Sequence, residues 1–150
     1  MSLEATDLDF DVLREPWNLY QLEDGTILRV KYVLTRVVRQ RDNMDRIGYA
    51  FKGQNVVSLS HFPKELKGPP SPSPRMYTPE ELQSAIVNDN VRYSTLEEEW
   101  NEYVTEDGAN IRVKITVVKV SRTNKTDNEG EPIYLVATSL LPQVIPPKKL

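Results

Sequence analysis

Apolar and polar residues alternate with a period of two along two long stretches of this chain. In the first, Leu28, Val30, Tyr32 and Leu34 fall on one side and Arg29, Lys31 and Val33 on the other. In the second, Ile111, Val113, Ile115 and Val117 alternate with Arg112, Lys114 and Thr116. Successive side chains of an extended strand point to opposite faces, so each stretch predicts a strand with one buried and one wet face. The alternation then slips. Past Leu34 the apolar position moves to Val37, and past Val117 it moves to Val118 and Val120. One extra residue is what a β-bulge supplies, and a bulge bends and twists its strand. Each stretch follows an Asp-Gly pair, Asp24-Gly25 or Asp107-Gly108. Gly takes positive φ freely and Asp tolerates it, so each pair predicts a hairpin closed by a two-residue type I′ turn. Before the turn, Tyr20 and Tyr103 are expected to face the core, with Leu19 and Glu102 toward solvent. Trp17 and Trp100 are expected to enter the strand and cover the end of the core.

The two stretches match each other. Trp17 to Lys31 and Trp100 to Lys114 lie 83 positions apart with no gap and agree at nine of fifteen positions: Trp, Asn, Tyr, Glu-Asp-Gly and Arg-Val-Lys. The same shift places Phe10 over Tyr93, Leu13 over Leu96 and Glu15 over Glu98. A further apolar run follows each polar loop, Ile47 to Leu59 (broken near Gly53) and Ile133 to Val144. Each unit reads as a lead-in plus a three-stranded meander. Between the units, Pro69, Pro70, Pro72 and Pro74 remove backbone donors, so Lys67 to Met76 is expected to be exposed and irregular. Thr78 as N-cap, Pro79 at the first helical position and Glu80 and Glu81 in the first turn then start a helix that runs to Val87. The tail from Pro146 to Lys149 reads as frayed.

The expected fold is all-β with one short linker helix. It is a pseudo-twofold tandem duplication of a three-stranded bulged meander, packed as one barrel-like or sandwich body, since a meander of about 40 residues buries too little surface to stand alone. Residues 4–62 form repeat one, 63–77 the Pro-rich linker, 78–87 the helix and 91–147 repeat two, all within a single compact domain spanning 1–150.

Composition narrows the function. Apolar content of 39% with 11 prolines fits a globular chain with substantial loops, and the absence of cysteine excludes disulfides and thiol chemistry. No apolar run approaches the ~18 residues of a membrane span, and the start lacks the basic flank and apolar stretch of a signal peptide. The expectation is a cytoplasmic protein with no membrane contact.

His61 is the one histidine, sits before Phe62-Pro63 and has no counterpart at the 83-residue shift, so it reads as a surface or strand-end residue. Glu23 with Asp24, and Glu106 with Asp107, are carboxylate pairs of a kind that can hold a cation or move a proton. An Asp at a hairpin tip is already explained by the turn. The six glycines are scattered singly, without a phosphate loop. No catalytic residue, metal site or cofactor is expected. The basic residues are the remaining candidates: Arg29, Lys31, Arg36 and Arg39 have basic counterparts in Arg112, Lys114, Lys119 and Arg122 at the same shift. Such faces suit phosphate backbones. Against that stand a net charge of −3 and acidic segments at 4–24 and 97–107, which can pair with the basic strands inside the fold. The expected function is therefore a non-catalytic binding or assembly module whose ligand the sequence does not name, with a second copy of the chain or another protein as candidate partners. The alternative is a nucleic-acid-binding protein using the basic strand faces.

Overall fold

The structure, a computed structural model, describes residues 4–148. It contains ten strands in two five-stranded antiparallel sheets. The strands are β1 (Glu4–Leu8), β2 (Phe10–Arg14), β3 (Asn18–Leu22), β4 (Ile27–Arg41), β5 (Ile47–His61), β6 (Ile86–Asn88), β7 (Tyr93–Glu97), β8 (Asn101–Thr105), β9 (Asn110–Thr126) and β10 (Pro132–Ile145). A helix, α1 (Pro79–Ser84), precedes β6.

The first sheet is built on β4. Strand β5 lies along one edge of it, while β3 and β1 share the other, β3 opposite Ile27 to Val30 and β1 opposite Val37 to Arg41. The second sheet repeats this around β9, with β10 on one edge and β8 and β6 sharing the other. The lead-in strands cross between sheets. Strand β2 precedes β3 in the chain but pairs with β8, and β7 precedes β8 but pairs with β3.

The period-two alternation decides which faces meet. Leu28, Val30, Tyr32 and Leu34 are buried, as are Ile111, Val113, Ile115 and Val117, together with Tyr20 and Tyr103. These side chains form one apolar core fed by both sheets. Among the described residues the sheets do not close into a barrel; β5 pairs only with β4 and β10 only with β9. The expected bulges are present. The ladders jump between Leu34 and Arg36 and between Lys119 and Val117, leaving Thr35 and Val118 as the extra residues. Each jump resets the alternation so that Val37 and Val120 point inward, whereas Val118 stands 57% exposed.

Both central strands have a stretch of edge that no strand covers. On β4 it lies between the end of β3 pairing at Val30 and the start of β1 pairing at Val37. Backbone groups there still need partners, and side chains from the other sheet supply them. Asn101 Nδ2 donates to Tyr32 O at 2.8 Å, and Leu34 N donates to Glu15 Oε2 at 3.3 Å. On β9, Asn18 Nδ2 donates to Ile115 O at 2.8 Å and the Tyr93 hydroxyl to Val117 O at 2.7 Å.

The hairpin tips depart from the two-residue turn. Gly25 N donates to Leu22 O and Leu22 N to Thr26 O, with Gly25 at φ 94° and Asp24 outside the positive-φ region. That is a three-residue loop whose last residue is left-handed and forms a bulge. The same loop recurs at Gly108 (φ 89°), at Gly130 (φ 88°) and between Asp42 and Arg46, where Asp45 takes φ 60°. Asp-Gly suits either loop; the register between Leu22 and Thr26 selects the longer one.

Two further expectations are corrected. Strand β5 runs unbroken through Gly53. Gly53 sits opposite Leu34 beside the bulge, where an added Cβ would lie 2.3 Å from Tyr32 Cζ and 2.5 Å from Val33 O. Gly53→Ala is therefore expected to cost about 1–3 kcal/mol by overpacking, because a backbone carbonyl as well as a ring must move. Thermal melting checks this, and an unchanged Tm would contradict the close approach. The helix has the expected Thr78 cap, reinforced by Glu81 in a capping box, but ends at Ser84 because Ile86 to Asn88 pairs with β9.

The linker, irregular and largely exposed from Lys67 to Met76, is not a free spacer. Gly68 N donates to Gly130 O and Ser71 N to Asn128 O, both at 2.9 Å. The Arg75 guanidinium donates to Thr126 Oγ1, Asp127 O and Pro69 O. Prolines that cannot join a strand leave neighbouring backbone groups free to bond with the β9–β10 loop. Pro146 to Lys148 lack regular structure, with Pro147 against the Gly108 tip; Lys149 lies outside the described residues.

Candidate functional site

Arg29 and Lys31 alternate with core residues of β4, and Arg112 and Lys114 with core residues of β9, so all four project from the outer faces. The tryptophans lie there too. Asn18 and Asn101 point inward, which turns the preceding Trp17 and Trp100 outward beneath the arginines. Arg29 Cζ is 4.6 Å from the Trp17 ring centre with Lys31 Nζ at 5.5 Å, and Arg112 Cζ is 4.5 Å from the Trp100 ring centre. The indoles thus floor cations rather than covering the end of the core. A guanidinium over an indole face is held by the ring quadrupole.

The eight basic candidates differ in their partners. Arg112 Nε lies 3.5 Å from Glu102 Oε1 without being aligned for a hydrogen bond, and its Nη1 donates to Gln143 at 3.0 Å. Lys114 is 3.7 Å from Glu98, Arg36 2.8 Å from Asp7, Arg39 3.2 Å from Asp107 and Lys119 3.2 Å from Asp89. Arg122 faces Asp24 and favours its charged form. Arg29 donates to Ser58 Oγ at 3.2 Å. Among the described residues, Arg29 and Lys31 have no carboxylate within 4.0 Å, and Arg29 Nε is buried without a hydrogen-bond partner. The basic set is thus split between two sheets and only one pair within it is free of acids.

The hairpin-tip aspartates do more than shape turns. Asp107 accepts from the Tyr49 hydroxyl at 2.7 Å and from Arg39 at 3.2 Å. Burial pushes its carboxyl up, but donors on Thr105, Tyr49, Ala109 N and Arg39 outweigh that and hold it below the usual range. Asp24 is treated alike: burial raises it, and Tyr134, Thr26 and the charge of Arg122 bring it down further. In each cluster the arginine and tyrosine come from one sheet and the aspartate from the other. The tyrosines escape a search at the 83-residue shift, because the second loop is longer and sets Tyr134 85 positions after Tyr49. A groove of about 540 Å³ opens beside Asp107, lined by Arg39, Ile47, Tyr49, Pro146 and Pro147.

Inside, the Tyr20 hydroxyl donates to Glu98 at 2.6 Å and the Tyr103 hydroxyl to Glu15 at 2.7 Å. Burial first, and then these carboxylates, hold both phenols protonated well past their ordinary range. Tyr134 is raised by burial and Asp24, Tyr32 by burial, and Tyr49 by burial and Asp107 to about 12. A phenol raised in the folded state contributes stability that is whole below the unfolded value near 10 and is lost as pH rises through the folded one. In an alkaline titration, tyrosinate absorbance from these five is expected to appear together with loss of the β-sheet circular dichroism signal. Their ionisation near pH 10 with the sheet signal intact would contradict the arrangement.

His61 is exposed at the end of β5, and Glu23 accepts from Asn88 at 2.9 Å. Among the described residues no group of three or more His, Cys, Asp or Glu is placed to hold a metal ion, and no helix is long and apolar enough to cross a membrane.

The remaining features are the two long open strand edges. Strands β5 and β10 run 15 and 14 residues with one edge each unpaired. Pro132 to Ile145 contains no charged residue, and Leu140, Leu141 and Ile145 on it are exposed. No family model, curated protein or solved structure matches this chain.

Proposed function

We propose that this chain is a non-catalytic binding or assembly module, and that it self-associates by pairing β10 with β10 of a second copy. The observation that carries this reading is the open, uncharged edge of β10. An unpaired edge offers a row of backbone donors and acceptors to another strand, and proteins that stay single usually blunt it with charges, bulges or prolines. Here Pro132 and Pro142 remove donors near the two ends, leaving Ile133 to Leu141 open. An antiparallel pairing about a twofold axis brings each residue against its own neighbourhood, so a strand without charges meets its copy without repulsion. Strand β5 carries Lys52 and is less suited.

The body that presents this edge is, in the same reading, a single domain made by tandem duplication about a pseudo-twofold axis. Strands β2 and β7, and β3 and β8, stand 83 positions apart, and the exchange of β2 and β7 between sheets argues against two separable domains. A cytoplasmic setting goes with this reading.

Light scattering after size exclusion across a concentration series tests it. A dimer is expected, and Ser139→Lys with Leu141→Lys should return it to monomer with little change in melting temperature, since both positions are exposed. A wild type that remains monomeric at the highest concentration, or a dimer indifferent to both lysines, overturns the proposal.

A further inference from the structure

We propose that the outer face of the first sheet around Trp17, Arg29 and Lys31 binds the phosphate backbone of single-stranded nucleic acid, and that the equivalent face of the second sheet does not. The argument rests on a difference between two otherwise matched surfaces. Across β9 and β8, Arg112 stands opposite Glu102, and Arg14 stands opposite Glu102 from the other side. Cation, acid and cation therefore alternate along that row, and Lys114 has Glu98 as well. Across β4 and β3, Arg29 stands opposite Leu19. The residue 83 positions before Glu102 is thus apolar, and the charge it would have offset is left.

Around the free pair the face is neutral: Leu19 and Gln21 on β3, Val33 on β4, Val56 and Ser58 on β5. The nearest acid along the row is Glu97, opposite Leu19 on β7. Its backbone lies two strand spacings from that of Arg29, about 10 Å away, and the two make no ion pair within 4.0 Å. Two half-buried cations are consequently held side by side over one indole, neither with a carboxylate of the described residues within 4.0 Å; Glu15, the counterpart of Glu98, spends its carboxylate on Leu34 N and the Tyr103 hydroxyl.

An anion relieves that repulsion, and the geometry favours a phosphodiester over a carboxylate. A guanidinium stacked on a ring keeps its outer plane free, and Arg29 commits only Nη2, to Ser58, and buries Nε, which leaves Nη1 and that plane for phosphate oxygens and an unstacked base together. Lys31 adds a second, mobile donor one strand period away. Cations beside an aromatic floor are the pattern by which single strands are held without sequence preference.

Fluorescence anisotropy with a labelled oligothymidylate at low and moderate salt tests this, with a labelled polyglutamate of equal length as comparison. The wild type is expected to bind the oligonucleotide at low salt. Arg29→Gln with Lys31→Gln should weaken binding roughly tenfold or more and flatten the salt slope by about 1.4, at ~0.7 per single-strand phosphate contact. Arg112→Gln with Lys114→Gln should leave affinity within about twofold, since those cations already face acids. Glutamine keeps much of the side-chain packing, and matching melting curves for both double variants exclude misfolding as the cause. Absence of binding at low salt, equal loss in the two double variants, or polyglutamate binding as tightly as the oligonucleotide each overturns the proposal. The inference does not depend on strand pairing at β10: the Ser139→Lys, Leu141→Lys protein should retain the site, so failure of one reading leaves the other to be judged by itself.

Discussion

Val113→Asp is expected to leave little folded protein at neutral pH. Val113 is 0% exposed on the central strand β9, flanked by Asn101 on β8 and Pro142 on β10, and it faces the shared core. A carboxylate there meets apolar side chains. Burying an unpaired charge costs several kcal/mol or forces protonation, and each unit by which the folded-state pKa rises costs about 1.36 kcal/mol at pH 7. Against a typical total stability of about 5–15 kcal/mol, that is enough to unfold a domain of this size. The sign of the pH effect follows. A buried Asp has its folded-state pKa raised, so the penalty is largest at neutral pH and fades as pH falls below the unfolded value near 3.9. Thermal melts near pH 7 and pH 4 should show the variant recovering relative to wild type in acid. Thr116→Asp, on the outer face of the same strand, should shift stability by no more than about 0.5 kcal/mol. Equal melting of Val113→Asp and wild type would mean that the inward face has been assigned to the wrong residues.

That assignment was legible from alternation alone, because a strand with one wet face writes its orientation into every second residue. The bulges at Thr35 and Val118 were legible for the same reason: a slip in phase is a slip in register. Residues that bear no periodic signal were harder. Asp24-Gly25 and Asp107-Gly108 mark a tip but not its loop length, which depends on how Leu22 meets Thr26 across the hairpin. Gly53 reads as a break because glycine usually weakens a strand; here it admits the Tyr32 ring. The exchange of β2 and β7 between sheets is invisible in sequence, since a five-residue strand pairs equally well with either partner until its neighbours are placed.

The basic positions could be named from the 83-residue shift, yet their surroundings could not. Whether Arg29 is free depends on Leu19 lying where Glu102 lies beside Arg112, and that requires the β3–β4 register. Trp17 has the opposite parity to Tyr20 and so does not fit as a core residue. The parity resolves once Asn18 is seen to point inward. Asn18 and Asn101 themselves were visible as identities without a role, because their partners are backbone carbonyls on the opposite sheet, which no side-chain pattern reveals.

Those two amides set the second large expectation. Asn101 is 2% exposed and donates to Tyr32 O at 2.8 Å and to the Tyr103 hydroxyl at 2.9 Å. Asn18, 1% exposed, donates to Ile115 O at 2.8 Å and accepts from Glu99 N at 3.1 Å. Each fills the part of a central strand edge that no strand covers, so removing it strands a carbonyl that water cannot readily reach. A buried group left without its partner costs about 1–3 kcal/mol, and Asn18→Leu strands both Ile115 O and Glu99 N. Asn18→Leu is therefore expected to cost about 2–5 kcal/mol and Asn101→Leu about 1–3 kcal/mol, at roughly 2–4 °C of Tm per kcal/mol for a chain of this length. Leucine keeps approximate volume, so the loss reports the hydrogen bonds rather than a cavity. Asn101→Asp separates the two further: it keeps the shape, removes the donor and aims a carboxylate at a carbonyl oxygen, so at neutral pH it should be worse than leucine and should improve on acidification. If both leucine variants melt with the wild type, the amides are not what ties β3 to β9 and β8 to β4, and the presence of Asn at both positions needs another cause.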